Sequence, residues 1–152
     1  MKRSLTNPDD RAAVIARLRQ LTPDSPRQWG RMTAHQAICH LSDSFRGILG
    51  THPIAPMNMP MGTTLVKWIA LRVPLKWPRD LKTPPEVNQE IGGTRPVEFE
   101  ADRLQLEALV KQLAESRSGD LQPHPIFGRL TDAEWQRWGY LHMDHHLRQF
   151  GA

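Results

Sequence analysis

Apolar residues recur every three or four positions along most of the chain, which is the spacing of one face of an α-helix. Five such stretches are separated by segments rich in proline and glycine. No stretch alternates apolar and polar residues over the length of a strand. The pattern therefore predicts an all-α protein, a helical bundle that forms a single domain over residues 1–152.

The first two helices carry sequence signals at their ends. Asn7 is placed to cap the first helix, and Thr33 and Gln36 form a capping box at the start of the second. Gly50 is placed to stop the second helix. The apolar positions that these helices would bury are Val14, Ile15, Leu18 and Leu21 in the first, and Ala34, Ala37, Ile38, Leu41, Phe45 and Ile48 in the second.

Three more helices are predicted from the same kinds of signal, apolar periodicity and capping residues. A short third helix is predicted around residues 64–73 and a longer fourth one over residues 98–117. Thr131 and Glu134 form a second capping box, so the last helix should begin there and end at Gly151.

Two connections are unusual in composition. Residues 75–96 hold several prolines and two adjacent glycines, which predicts a long irregular connection that acts either as a lid or as a wrap around the bundle. The MNMPM segment at residues 57–61 could form a soft contact surface in a homodimer, or its methionines could pack inside.

The charge balance does not by itself indicate a partner. The chain has 20 basic and 16 acidic residues, a net charge of +4 and a pI of about 9.7. The basic residues are scattered rather than clustered, so nucleic-acid binding is not favoured. Residues 67–82 interleave basic and apolar positions, which suits either a bundle helix or, less readily, an amphipathic helix on a membrane surface.

Cysteine usage and hydropathy indicate a compartment. Cys39 is the single cysteine, which excludes an intrachain disulfide and fits a reducing environment. No signal peptide is evident at the N-terminus, and no apolar run reaches the length of a membrane span. These features predict a soluble cytoplasmic protein, in which Cys39 is a buried and unreactive thiol.

The last predicted helix concentrates histidine. Three of the seven histidines, His142, His145 and His146, fall within five positions. His142 and His146 are one helical turn apart, so both imidazoles could reach one ion, and His145 competes for that role. The face that these rings share also carries Trp135, Trp138 and Gln149, and the tryptophans suit core packing better than a pocket.

A metal site needs at least one more ligand from another element. On the second helix, His40 lies beside the small residues Ala37, Ser44 and Gly47, which leave room for an ion, whereas His35 falls on the opposite margin. The two remaining histidines, His52 and His124, each precede a proline and are interpreted as structural loop residues. The residues alone leave the third ligand open.

Two segments, WGRMTAHQAICHLSDSFRGILG at residues 29–50 and HPIFGRLTDAEWQRWGYLHMDHHLRQFG at residues 124–151, cover about a third of the chain and resemble a known family. They are similar to the DinB-like superfamily of four-helix-bundle metal proteins, and within it to a bacterial branch known as a domain of unknown function. The resemblance implies a DinB-like four-helix bundle with one extra short helix and long Pro-rich connections. It assigns His40, His142 and His146 as the metal ligands and Gln149 as the glutamine that follows them.

Three neutral imidazoles would bind a divalent metal ion, with zinc expected first and nickel second. The resemblance implies that this ion activates a low-molecular-weight thiol, as in an S-transferase or isomerase, or else water, as in a hydrolase acting on a small substrate. A bundle that binds a metal or a small molecule without catalysis is the alternative from another class. His145 could serve as a base, and Gln149, Trp138 and Ser44 are expected around the ligands or in the pocket.

Overall fold

A computed structural model describes residues 2–57, 63–73, 76–79 and 83–152. Over these residues the chain forms five α-helices and two single turns of 3₁₀ helix, and it contains no strand. The helices are α1 (Pro8–Leu18), α2 (Ala34–Ile48), α3 (Thr63–Arg72), α4 (Phe99–Glu115) and α5 (Asp132–Gln149), and the turns are Pro85–Val87 and Ser118–Asp120. The prediction of an all-α protein is confirmed for this part of the chain.

The predicted caps are present. The Asn7 side chain accepts hydrogen bonds from the backbone of α1, and both halves of the capping boxes of α2 and α5 are formed. Helix α4 ends two residues before the predicted boundary, because Ser116 adopts an extended conformation with ψ 152°. Gly50, beyond the end of α2, has φ +81°, which glycine adopts without strain.

Helix α5 is the central element of the bundle. It packs against α1, α2, α3 and α4. Besides the tryptophans on its predicted face, Tyr140, Met143 and Leu147 on its other faces are buried. The histidines of α5 are therefore carried by a helix that the rest of the protein surrounds.

Close packing of α5 against the N-terminal segment requires a glycine. A Cβ atom on Gly139 would lie 2.6 Å from Leu5 Cδ1 and 2.9 Å from Leu113 Cδ2, so no larger residue fits without movement of these side chains. The Leu5 backbone N–H donates to the Gln136 carbonyl at 3.1 Å. This contact ties the N-terminal segment to the outside of α5.

The second half of the Pro-rich connection wraps around α2. The Asp43 carboxylate is fully buried and accepts hydrogen bonds from Gln89 Nε2 at 3.1 Å and from both the backbone N–H and the hydroxyl of Thr94 at 2.7 Å. His52 adds a bond of 2.7 Å from its Nε2 to the Glu86 carbonyl. Residues 83–96 are thus a structural wrap, whereas four of the five residues of the predicted contact surface at residues 57–61 lie outside the described residues.

Within the described ranges, none of the helices combines the length and the apolar character needed to cross a bilayer.

Candidate metal centre

Three buried or half-buried imidazoles converge between α2 and α5. His40 comes from the middle of α2, and His142 and His146 come from successive turns of α5. Each ring offers a nitrogen that lies within 4.8 Å of those of the other two. The ring centroids are 4.7 to 5.3 Å apart. This cluster could hold a metal ion, and it consists of the three residues that the family resemblance implied as ligands.

The spacing of the nitrogens can be compared with that of metal ligands. His40 Nε2 and His142 Nε2 are 3.3 Å apart. Two nitrogens bound to one tetrahedral zinc at about 2.0–2.1 Å would be separated by about 3.3 Å. In the absence of a metal the same distance allows a long hydrogen bond between the two rings. The pair is thus spaced as ligands of a common ion would be.

The tautomer of His40 is determined by a backbone carbonyl. His40 Nδ1 lies 2.7 Å from the Val87 carbonyl oxygen, which can only accept a hydrogen bond. Nδ1 therefore carries the proton, and Nε2 presents a lone pair to the centre of the cluster. A hydrogen bond of this kind on the outer nitrogen is typical of metal-binding histidines.

The tautomer of His146 is determined by Gln149. The Gln149 side-chain amide donates to the Trp29 carbonyl at 3.0 Å, so its oxygen faces His146 Nδ1, also at 3.0 Å. His146 Nδ1 must then be the donor, and its Nε2 presents a lone pair as well. The glutamine expected beside the ligands is thus in direct contact with one of them.

Two further ring nitrogens lack a partner. Nδ1 of His142 and Nδ1 of His145 are buried, and neither has a hydrogen bond to any described residue. Buried polar atoms without partners are uncommon in folded proteins and often mark functional positions. His145 does not belong to the converging set, but it lies beside it, 5.0 Å from His146 between ring centroids.

Burial keeps these imidazoles neutral. Desolvation is the largest cause that lowers the pKa of His40, His142 and His146, and the neighbouring rings lower the pKa values of the latter two further. The pKa of His145 falls to about 4, again mainly because of burial. Neutral imidazole is the form that binds metal ions, so at pH 7 the cluster is in the competent protonation state.

A cavity of about 450 Å³ opens beside the cluster. Its walls are mostly apolar side chains, among them Ile54, Val66, Ile69, Trp77, Phe127 and Trp138. Ser44 also lines it, and the Ser44 hydroxyl donates to the His40 carbonyl at 2.8 Å. Trp138 and Ser44 therefore line the cavity, and Trp138 is at the same time 3% exposed and part of the core.

A family model described as a protein of unknown function (DUF1569) matches residues 1–152. The chain belongs to the DUF1569 family. Comparisons with curated proteins and with solved structures found no match. The family description states no activity for this DUF1569 protein.

Sequence reasoning missed much of the cavity lining, including the two aromatic side chains His124 and Trp77. His124, interpreted as a loop residue, does lie in the loop before α5, but its ring also lines the cavity. The only signal for it was its place at the start of the HPIFG stretch. Trp77 stands in the Pro-rich connection, and the fold alone places it near His142 and His145, with ring centroids 5.9 and 6.1 Å apart.

A second group, His35, Cys39 and Asp102, also has ligand-type atoms close together. However, His35 Nε2 and Asp102 Oδ2 are 2.7 Å apart, which is a hydrogen-bond distance and shorter than the spacing of two ligands on one ion. Burial and the Asp102 carboxylate raise the pKa of the Cys39 thiol to about 12. The group is best described as a contact between α2 and α4, and Cys39 as an unreactive thiol.

Proposed function

We propose that this DUF1569 protein is a metal-dependent enzyme of the DinB-like superfamily. His40, His142 and His146 would bind one divalent metal ion, zinc in the first place and nickel in the second. The ion would serve a reaction of a low-molecular-weight thiol, either transfer to an electrophile or isomerisation. The observation that carries the proposal is that the Nδ1 protons of His40 and His146 are committed to fixed acceptors, which leaves both Nε2 lone pairs facing the cluster.

The donor set fits such an ion. Three neutral nitrogens without a carboxylate suit zinc, nickel, cobalt or ferrous iron. When bound, a divalent ion lowers the pKa of a coordinated thiol or water towards neutrality. The adjoining cavity gives a small substrate access to this position, and its apolar walls exclude water from the apolar part of that substrate.

The lining of the cavity favours a thiol over water as the nucleophile. Among the described residues that line the cavity there is no aspartate or glutamate. The lining therefore offers no carboxylate as a general base for a hydrolase, and His145, with a pKa of about 4, is a weak base. A thiol on the metal ionises more readily than a water there, because a free thiol has a much lower pKa than free water. In this proposal His145 is neutral at pH 7, and the thiol proton leaves to solvent.

Metal content is the direct test. Untagged protein would be analysed by mass spectrometry after exchange into buffer free of chelators and metals. We expect about one zinc or nickel ion per chain in the wild type and in His35→Ala, and loss of the ion in His40→Ala and His142→Ala. His35 is the matched control because it lies on the same helix outside the cluster. A wild-type protein that stays metal-free after reconstitution would contradict the proposal and favour a bundle that binds small molecules without catalysis.

Activity assays then separate the two enzyme classes. Metal-loaded protein would be tested with low-molecular-weight thiols and an electrophile, and in parallel with ester and amide substrates without thiol. We expect turnover that depends on the thiol and on His40. Steady hydrolysis in the absence of thiol would instead assign a metal-dependent hydrolase.

A further inference from the structure

His124 has a defined tautomer. Its Nδ1 lies 3.1 Å from the backbone nitrogen of Ile126 and 3.2 Å from that of Phe127, and both of these N–H groups point at it as donors. Nδ1 must therefore be the unprotonated acceptor, and in the neutral ring the proton is on Nε2. This is the opposite tautomer from that of His40 and His146.

The ring is held in this orientation. It stacks on Phe127 with a centroid distance of 4.5 Å and an interplanar angle of 17°, and it meets Trp138 edge-on at 5.2 Å. The His124 backbone also exchanges two hydrogen bonds with Gly128, at 2.8 and 2.9 Å. Rotation of the ring by half a turn would break both bonds to Nδ1, so Nε2 keeps its direction.

The Nε2–H group of His124 has no hydrogen-bond acceptor among the described residues. His124 is 9% exposed and lines the cavity, and no described residue accepts a hydrogen bond from its Nε2. Two of the other imidazoles that line the cavity, His40 and His146, present lone pairs towards the cluster, and Lys76 and Ser44 also line it. His124 thus adds an N–H donor to a cavity whose walls are otherwise mostly apolar.

We infer that His124 donates a hydrogen bond from Nε2 to an acceptor oxygen of the substrate, and that the substrate combines an apolar body with a carbonyl group. This inference rests on the proposed function, because it takes the cavity beside the three histidines as the substrate pocket. Burial lowers the pKa of His124 to about 3, so the ring stays neutral at physiological pH and acts as a fixed donor rather than as an acid or base.

The test compares two ligands of nearly equal shape. Acetophenone carries a carbonyl oxygen where α-methylstyrene carries a methylene group, and either fits a cavity of about 450 Å³. Both would be titrated by NMR into wild type and His124→Asn, in the presence of a chelator so that no metal can bind the oxygen. Asparagine retains an oxygen that can accept the two loop N–H groups, but it has no donor at the position of Nε2.

We expect the preference of the wild type for the ketone over the hydrocarbon to drop about three- to tenfold in His124→Asn, the range of one neutral hydrogen bond. An equal preference in the two proteins, or no binding of either ligand by the wild type, would overturn the inference. Because the assay is run without metal, its failure is distinct from the failure of the metal-content experiment.

A measurement on the wild type alone covers the case in which the variant does not fold. Long-range proton–nitrogen NMR of the imidazole rings reports which nitrogen carries the proton. We expect His124 to be protonated on Nε2 and not on Nδ1, with an Nε2 signal that shifts on addition of acetophenone but not of α-methylstyrene. A ring protonated on Nδ1, or an Nε2 signal that responds equally to both ligands, would refute the assignment.

Discussion

At the scale of single residues, the candidate site depends on which nitrogen of each histidine carries the proton. The Val87 carbonyl oxygen determines the tautomer of His40, and the Gln149 amide oxygen determines that of His146. Two backbone N–H groups determine the tautomer of His124. These contacts make two rings into lone-pair donors and one ring into a hydrogen-bond donor. The same residue type therefore has different chemistry at positions that line one cavity.

Gln149 provides a residue-scale prediction. Gln149→Met keeps the volume of the side chain but removes the oxygen that accepts from His146 Nδ1. We expect zinc affinity to fall about 10- to 100-fold without loss of the fold, because the ring loses the bond that orients it. Competition with a chromophoric chelator measures this. The exposed Gln112→Met on α4 is the control and should bind zinc like the wild type.

At the scale of elements, the wrap of residues 83–96 supports the site from outside. Val87, whose carbonyl oxygen orients His40, lies in the wrap, and Asp43 of α2 holds the wrap through Gln89 and Thr94. The proline-rich composition suits this role because prolines restrict the backbone and donate no N–H bonds of their own. The wrap, whose only regular structure is the 3₁₀ turn Pro85–Val87, thus determines a tautomer in the histidine cluster.

Asp43 provides the prediction at this scale. In the wild type, Gln89 and the Thr94 backbone donate hydrogen bonds to the fully buried Asp43 carboxylate. Asp43→Asn would replace one carboxylate oxygen by an NH₂ group, which cannot accept these bonds. We expect the free energy of unfolding to fall by about 2–4 kcal/mol, the range for charged hydrogen bonds left unmade in a buried site. Urea unfolding of the metal-free protein measures it. Glu90, an exposed carboxylate on the wrap, is the control: Glu90→Gln should change stability little, and an equal effect of both variants would contradict this role of Asp43.

At the scale of the whole molecule, burial of neutral imidazoles couples folding to pH. The pKa of His124 is about 3 in the folded protein and near the ordinary value of about 6.5 in the unfolded chain. As the pH falls below about 6.5, the unfolded chain binds a proton that the folded protein excludes, so the folded state loses stability until the pH reaches the folded pKa. The stability that this residue contributes is therefore complete above pH 6.5.

The corresponding prediction concerns the slope of stability against pH. One such imidazole lowers the free energy of unfolding by about 1.4 kcal/mol for each pH unit below its unfolded pKa. Between pH 5.5 and 4, wild type should therefore lose stability more steeply than His124→Asn by about that amount per unit. Urea unfolding with chelator present at pH 7.5, 5.5 and 4 measures the slopes. Parallel curves would show that His124 is not held neutral.

Much of the secondary structure could be predicted from the sequence, because its signals are local. Asn7 and the two capping boxes mark helix starts through bonds to residues two or three positions away, and the 3.6-residue period identifies the faces that pack. Periodicity also placed His142 and His146 one turn apart. It could not show that α5 is buried on nearly all sides, since burial depends on where the other helices lie.

The sequence by itself thus determined an all-α chain, the boundaries of its helices to within a few residues and a pair of histidines on one helix. The resemblance of two segments to a known family added His40. Only the tertiary structure decided which carbonyl orients His40, that Gln149 orients His146, and that His124 and Trp77 reach the same cavity. The Gln149–His146 bond joins neighbours on α5, but the orientation of the Gln149 amide depends on the distant Trp29 carbonyl. The other contacts join residues far apart in the chain, and their geometry follows from the packing of whole elements rather than from the spacing of residues within one of them.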